Sequence, residues 1–288
     1  MERIKEAIEK AKTQRGVPEE SRPGAVALEA VPRGLEPTTA MARPHAIGTT
    51  DVTDGDVWYR QTPVIKLDAA HLESHRIVAH QKAHPASWAF DLLRTQVLQT
   101  MDEHGWRTLA VTSPTPEAGK TVVAINLAIA IAQHSNRTAL LVDLDLRRPR
   151  VAASLGLAAK ISLNEVLAGA ARVEEAMVNP SIPRLVVLPS RQAMPGSAEL
   201  LGSSKVAAMM SELRERYADR VLVVDLPPVL AVDDVLAILP RIDCLLMVVG
   251  NGTATRNEIN ESMRRLSKGR LLGVVLNKDD APTHNAYY

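Results

Sequence analysis

The sequence predicts a doubly wound α/β domain with a mostly parallel sheet, preceded by a poorly ordered N-terminal arm. Three observations predict it. Six short apolar runs, rich in Val, Leu and Ile, recur at TLAVTS (108–113), TALLVDLD (138–145), RLVVLPS (184–190), RVLVVDLP (220–227), CLLMVVG (244–250) and LLGVVLN (271–277). They lack polar alternation, as strands buried on both faces of a parallel sheet do. Stretches long enough for crossover helices, such as 120–134, 197–217 and 255–268, lie between them, and strand–helix alternation gives right-handed crossovers and a doubly wound sheet. Before residue 86 this pattern is missing. The boundary is therefore placed there: 1–85 an N-terminal helix and linker arm, 86–288 the domain with a short tyrosine-bearing tail.

Taken in order, residues 2–14 read as an amphipathic helix with Ile4, Ala7, Ile8 and Ala11 on one stripe. Its apolar residues are few, which favours a protein contact or a frayed helix over a membrane surface. Residues 16–65 scatter Pro, Gly, Thr and Asp without a period and read as linker. A helix-like patch at 71–84 carries His71, His75, His80 and His84 as two i, i+4 pairs. Two histidines on one helical face can bind a metal, but the polar surroundings favour a solvated helix. Residues 87–103 read as a helix leading into the first apolar run.

Composition excludes several classes. At 46% hydrophobic the 288 residues can bury an ordinary core. A net charge of +1 gives no basic field for a polyanion, and 3% aromatics leave little for base stacking; no nucleic-acid partner is expected. The single cysteine, Cys244, cannot form a disulfide framework and fits a reducing cytoplasm. No apolar stretch approaches the roughly 20 residues that span a bilayer, and the first residues lack the apolar core of a secretory signal.

The chemistry gathers at strand ends. The first run leads into SPTPEAGKT (113–121) and then a helix. Gly119-Lys120-Thr121 has the form of a phosphate-binding loop, with backbone N–H groups and the helix dipole facing the phosphates. Lys120 would reach the β- and γ-phosphates and Thr121 would ligate Mg²⁺. Pro116, Glu117, Ala118 and Val122 complete the nucleotide-binding turn. The strict pattern asks for Gly where Pro114 stands. The second run ends in LLVDLDLRRP (140–149), where Asp143 and Asp145, spaced i, i+2, share one strand face beside the phosphates. The fourth, VLVVDLPP (221–228), places Asp225 after four apolar residues, near Mg²⁺. Arg147, Arg148 and Arg150 could steady phosphates or meet an acidic surface. The last run ends in Asn277-Lys278-Asp279-Asp280, which coincides with the guanine-reading Asn-Lys-x-Asp of GTPases. It reads as a coincidence; Asn277 would touch adenine or cap the turn.

TSPTPEAGKT, INLAIAIAQ, LLVDLDLRRP, VLPS, VLVVDLPP and GVVLNK, in this order over about residues 85–280, resemble the bacterial tyrosine kinases of capsule and exopolysaccharide synthesis, relatives of the MinD and ParA ATPases. The resemblance implies a P-loop NTPase fold, Mg²⁺ and ATP as cofactors, and autophosphorylation on tyrosines near the C-terminus. It also implies a transmembrane polysaccharide co-polymerase, or chain-length regulator, as activator. The arm is similar to that of cytoplasmic members encoded apart from that partner, which implies a cytoplasmic protein peripheral at the inner membrane face. Carried over residue by residue, Lys120 and Asp143 with Asp145 become catalytic, Asp143 as base for the tyrosine hydroxyl. Thr121, Asp145 and Asp225 serve Mg²⁺, and Tyr287 and Tyr288 are the phosphoacceptors.

Three departures accompany it. The family loop reads Pro-Gly-Glu-Gly-Lys, against Pro116-Glu117-Ala118-Gly119-Lys120 here. A missing first Gly costs about 1 kcal/mol of backbone strain if that position needs φ > 0. The Glu-x-x-Arg-x-x-Arg that builds the family's ring is replaced at Trp88 and Asp91 and kept only at Arg94, so a homo-oligomer is possible but not implied. The tail has two tyrosines instead of a cluster. The first reading is thus an ATP-dependent protein-tyrosine autokinase regulating exopolysaccharide polymerisation and export. The alternative is a kinase-inactive ATP-binding switch acting on the co-polymerase. A partitioning ATPase would want an extra Lys early in the loop, and residues 113–118 hold none.

Overall fold

Alternation within each apolar run decides which helical layer each strand residue meets. The computed structural model describes residues 62–133, 137–216 and 219–279. The N-terminal stripe, most of the linker and Tyr287 and Tyr288 lie outside them. The six runs form β1 (Thr108–Thr112), β2 (Thr138–Asp143), β3 (Leu185–Leu188), β4 (Arg220–Asp225), β5 (Cys244–Gly250) and β6 (Leu271–Asn277). They make one parallel sheet in the order β3-β2-β4-β1-β5-β6. Leu109 and Val111 of β1, with Val221 and Val223 of β4, face one layer; Ala110, Leu222 and Val224 face the other. Both faces are covered over β1 to β5, which is why those runs show no polar alternation; β6, at the sheet edge, is only partly buried.

The first layer holds α1 (Ala69–Ser74), α2 (Ser87–His104) and α3 (Lys120–Ala132). α3, KTVVAINLAIAIA, is buried at nearly every position, because sheet and α2 enclose it; a helix apolar all round belongs there. α2 stops at Gly105 (φ +66°), where the Trp106 N–H returns to Met101 O at 2.8 Å. After β2 come α4 (Val151–Leu155) and α5 (Leu163–Ala168). The second layer carries α5, α6 (Ser197–Gly202), α7 (Ser204–Glu215) and α8 (Asp234–Ile238). The stretch 197–217, long enough for crossover helices, holds two, because Ser203 leaves the helical region and caps α7 through the Val206 N–H. α9 (Arg256–Arg265) returns the chain to β6.

The segment 62–85, placed by the sequence in the arm, packs on the domain. Leu72, Ile77 and Ala79 are core residues, and Ile65 N donates to Asn179 O at 2.8 Å. The helix-like patch at 71–84 is helical only through Ser74, since Arg76 turns left-handed (φ +59°). The next amides are bound by α3: Asn126 Oδ1 accepts from Val78 and Ala79 N–H at 2.8 and 2.9 Å, and its Nδ2 donates to Arg76 O and Val122 O. His71 stacks on His75 at 4.1 Å and its Nε2 lies 2.8 Å from Ala153 O. Among the described residues no group of three or more His, Cys, Asp or Glu is arranged to hold a metal. No described helix is long and apolar enough to cross a membrane.

Candidate nucleotide site

Ligands of open parallel sheets bind beyond the carboxyl ends of the strands, and Lys120, Thr121, Asp143, Asp145, Asp225 and Asn277 all lie at such ends. β1 ends at Thr112, the chain turns through 113–119, and α3 begins at Lys120. The turn is braced from the side: Thr115 Oγ1 donates to Thr253 O at 2.9 Å and Asn277 Nδ2 donates to Ala118 O at 2.9 Å. Glu117 and Gly119 are left-handed, at φ +63° and +87°. Glycine adopts this freely, while an L-residue gives up about 1–2 kcal/mol. The φ at Glu117 therefore meets the condition under which its missing glycine matters. Gly119 is required for a second reason, since a Cβ there would stand 2.1 Å from Asn277 Nδ2.

Lys120 opens the helix with Nζ 2.8 Å from Asp145 Oδ2 and 3.4 Å from Asp225 Oδ1. Thr121 Oγ1 donates to Asp225 Oδ2 at 2.6 Å. The β2–β4 register sets Asp143 opposite Asp225, so the two acidic motifs meet because two strands end level. Asp143 and Asp225 are fully buried. Burial, then the Asp225 charge, pushes the Asp143 carboxyl well above its ordinary value. Burial raises Asp225 too, against the opposing pull of Lys120 and the Thr121 hydroxyl. Burial alone would lower Lys120, but Asp225 and Asp145 outweigh it and hold the ammonium above its usual value. Two carboxylates contact one ammonium, and the charge of a third, Asp143, also acts on it.

The two acids of β2 are not equivalent. Asp145 lines a cleft of about 530 Å³ with Glu117, Gly119, Lys120, Thr121 and the three arginines 147, 148 and 150. Asp143 does not line it. Its Oδ2 accepts from the Val151 N–H at 3.1 Å and its Oδ1 from the Asp145 N–H at 3.3 Å. One contact escaped the sequence reading: Arg147 Nε donates to the buried Asp234 Oδ1 at 2.9 Å, tying the loop after β2 to the start of α8. Nothing in the spacing of residues 147 and 234 signals it. Asn126 was findable, as the lone amide in an otherwise apolar helix.

These residues fit a magnesium nucleotide. Thr121 and Asp225 offer the hard oxygen donors that Mg²⁺ takes. The start of the 13-residue α3 presents backbone N–H groups to an anion. The matching family model is the CobQ/CobB/MinD/ParA nucleotide binding domain, over residues 109–288. The tyrosine-protein kinase CpsD of Streptococcus pneumoniae serotype 4 is 33% identical over 177 residues, 60% of this chain and 77% of its own. The chain belongs to this nucleotide-binding family, on its bacterial tyrosine-kinase branch. The putative tyrosine-protein kinase EpsB of Ralstonia nicotianae is also 33% identical, over 198 residues, 68% of this chain. The chain spans only about a quarter of that relative, 26%. Among solved structures, the kinase domain of Escherichia coli tyrosine kinase ETK superposes with a TM-score of 0.66 at 29% identity, covering 74% of this chain and 84% of that one. The six-stranded sheet is thus the P-loop NTPase fold of the MinD/ParA type.

Proposed function

We propose that the protein is an ATP-dependent protein-tyrosine autokinase of exopolysaccharide assembly. The observation that carries this reading is the convergence of Lys120, Thr121, Asp145 and Asp225 where the β1–α3 turn meets the ends of β2 and β4. Bound Mg²⁺-ATP supplies the γ-phosphoryl group and part of the charge neutralisation. The protein supplies positioning and fixed charge, which is most of what phosphoryl transfer needs. Lys120 leaves its carboxylates for the β- and γ-phosphates, and Pro116, Glu117, Ala118, Gly119 and Val122 frame them. Thr121 and Asp225 hold the metal, with Asp145 beside them.

The sequence reading gives the base to Asp143, but its burial and its two backbone N–H bonds favour moving that role to Asp145. Asp145 lines the cleft, and the departure of Lys120 frees its Oδ2 to take the tyrosine proton. Asp143 then braces the start of α4 through Val151. Tyr287 and Tyr288 are the acceptors in this reading, and a transmembrane polysaccharide co-polymerase, or chain-length regulator, is the activator. That places the protein in the cytoplasm, at the inner membrane face through its partner.

The kinase-inactive switch is favoured by one observation, the Glu117 carboxylate on a left-handed position of the phosphate turn. Phosphotyrosine mapping separates the two. With Mg²⁺-ATP and the activator, the autokinase labels Tyr287 or Tyr288 and the Lys120→Met variant does not. Folded, nucleotide-binding protein that stays unlabelled leaves only the switch.

A further inference from the structure

We infer that Asp234 is a positioning residue of the nucleotide site: it fixes Arg147 so that the outer prongs of the guanidinium meet the polyphosphate tail. The inference rests on the nucleotide-site reading and names a further contact for it. Arg147, Arg148 and Arg150 all line the cleft beside Lys120 and Thr121. Among the described residues, Arg147 alone of the three is held through its side chain. Its Nε donates to Asp234 Oδ1 at 2.9 Å, and its Nη2 stands 3.6 Å from Oδ1 of the exposed Asp233.

Asp234 opens α8 and is fully buried, while the Arg147 side chain is 46% exposed. A carboxylate taken out of water needs its charge answered and its oxygens bonded. A pair built for stability alone would set two parallel N–H groups on the two oxygens. Here Asp234 Oδ2 is buried with no hydrogen-bond partner, and the guanidinium meets Oδ1 through Nε only. Among the described residues Nη1 has no protein partner, on a side chain that lines the cleft. The rigid fork of five N–H donors lets one end be anchored while the other takes an anion, which the single nitrogen of a lysine does not do at two sites. A cation ordered before the ligand arrives loses little rotamer freedom on binding.

The test uses the full chain, with Mg²⁺ throughout. Calorimetry reads the affinity for adenylyl imidodiphosphate and for inorganic pyrophosphate, and thermal melting reads stability. Arg147→Gln should weaken both probes by about tenfold, and Asp234→Asn, at a residue that touches neither, by about three- to tenfold. The double variant should bind no worse than Arg147→Gln alone, since Asp234 acts through that side chain. Arg147→Lys discriminates further. Its ammonium answers the Asp234 charge and keeps the melting temperature near that of the wild type, while affinity stays as low as in Arg147→Gln. In a merely structural pair, lysine restores stability and affinity together. Wild-type affinity in Arg147→Lys, Arg147→Gln or Asp234→Asn overturns the inference, and so do additive losses in the double variant. Affinity and melting temperature that fall together in Arg147→Lys overturn it as well, because a structural pair accounts for both. If Asp234→Asn does not fold, the two arginine variants decide alone. A wild-type protein that binds neither probe fails the nucleotide reading itself, which is a different result from any of these.

Discussion

At residue scale the site is a balance of buried charges held by one lysine. Asp143 and Asp225 have folded pKa values raised above their unfolded ones. Such carboxyls favour folding while protonated and lose that contribution as pH rises from the ordinary Asp value through the raised one. Lys120, raised as well, stabilises throughout this range. Lys120→Met leaves Asp145 and Asp225 without their cation, at a cost of about 3–5 kcal/mol near neutral pH. The loss shrinks as pH falls and Asp225, raised by burial, protonates, so denaturation of the variant at pH 5 and pH 8 should show the larger deficit at pH 8. Glu117→Gly acts the other way. It relieves a left-handed L-residue, stabilising by about 1 kcal/mol, and takes a carboxylate from the phosphate cleft. Tighter binding of Mg²⁺-ADP by at least about threefold is expected in calorimetry, and weaker or equal binding would contradict it.

At element scale one joint is α3 against the segment before α2. Asn126, fully buried, gives both amide ends to residues 76–79 and to its own helix. Asn126→Ala strands two buried N–H groups and should cost about 2–4 kcal/mol. Hydrogen exchange should locate the damage at Val78 and Ala79, with the β4 amides changed less. A second joint is α5, whose start carries a reciprocal cap between Ser162 and Glu165, tied also to Arg191. The Ser162 hydroxyl and these neighbours hold the Glu165 carboxyl down to about 2. A lowered carboxyl stabilises above its unfolded value, and that contribution disappears as pH falls from about 4.5 to about 2. The side chain is partly exposed, so the contribution is on the order of 1 kcal/mol. Glu165→Gln should therefore cost that much at pH 6 and only a small part of it at pH 2, read from urea midpoints.

Elements were legible wherever one physical rule dominated. Burial on both faces made β1 to β5 plain, while β6 kept its apolar run although it is only partly buried at the sheet edge, and the strand–turn–helix around Gly119 carried its own glycine and lysine. Contacts between distant loops were not legible. The insertion of β4 between β2 and β1, which brings Asp225 to Asp143, is a matter of sheet order, and no local pattern records it. The boundary at residue 86 followed a change of period, yet Leu72, Ile77 and Ala79 pack without a period. Asp143 and Asp145 looked alike on a strand, and only the loop to α4 distinguishes the braced acid from the one in the cleft.

At the scale of the whole molecule, the sheet is a frame that levels three strand ends over one helix start. Its two layers stabilise the frame, and the carboxylates at its edge oppose them until a cation and a polyphosphate arrive. The central claim is that the Gly119 turn and Asp225 together hold a magnesium nucleotide. Titration calorimetry of the intact chain with ATP and ADP, with and without Mg²⁺, tests it most directly. The account predicts saturable heat that depends on Mg²⁺ and disappears in Lys120→Met and Asp225→Asn. Folded wild-type protein giving no heat with either nucleotide in the presence of Mg²⁺ would contradict it.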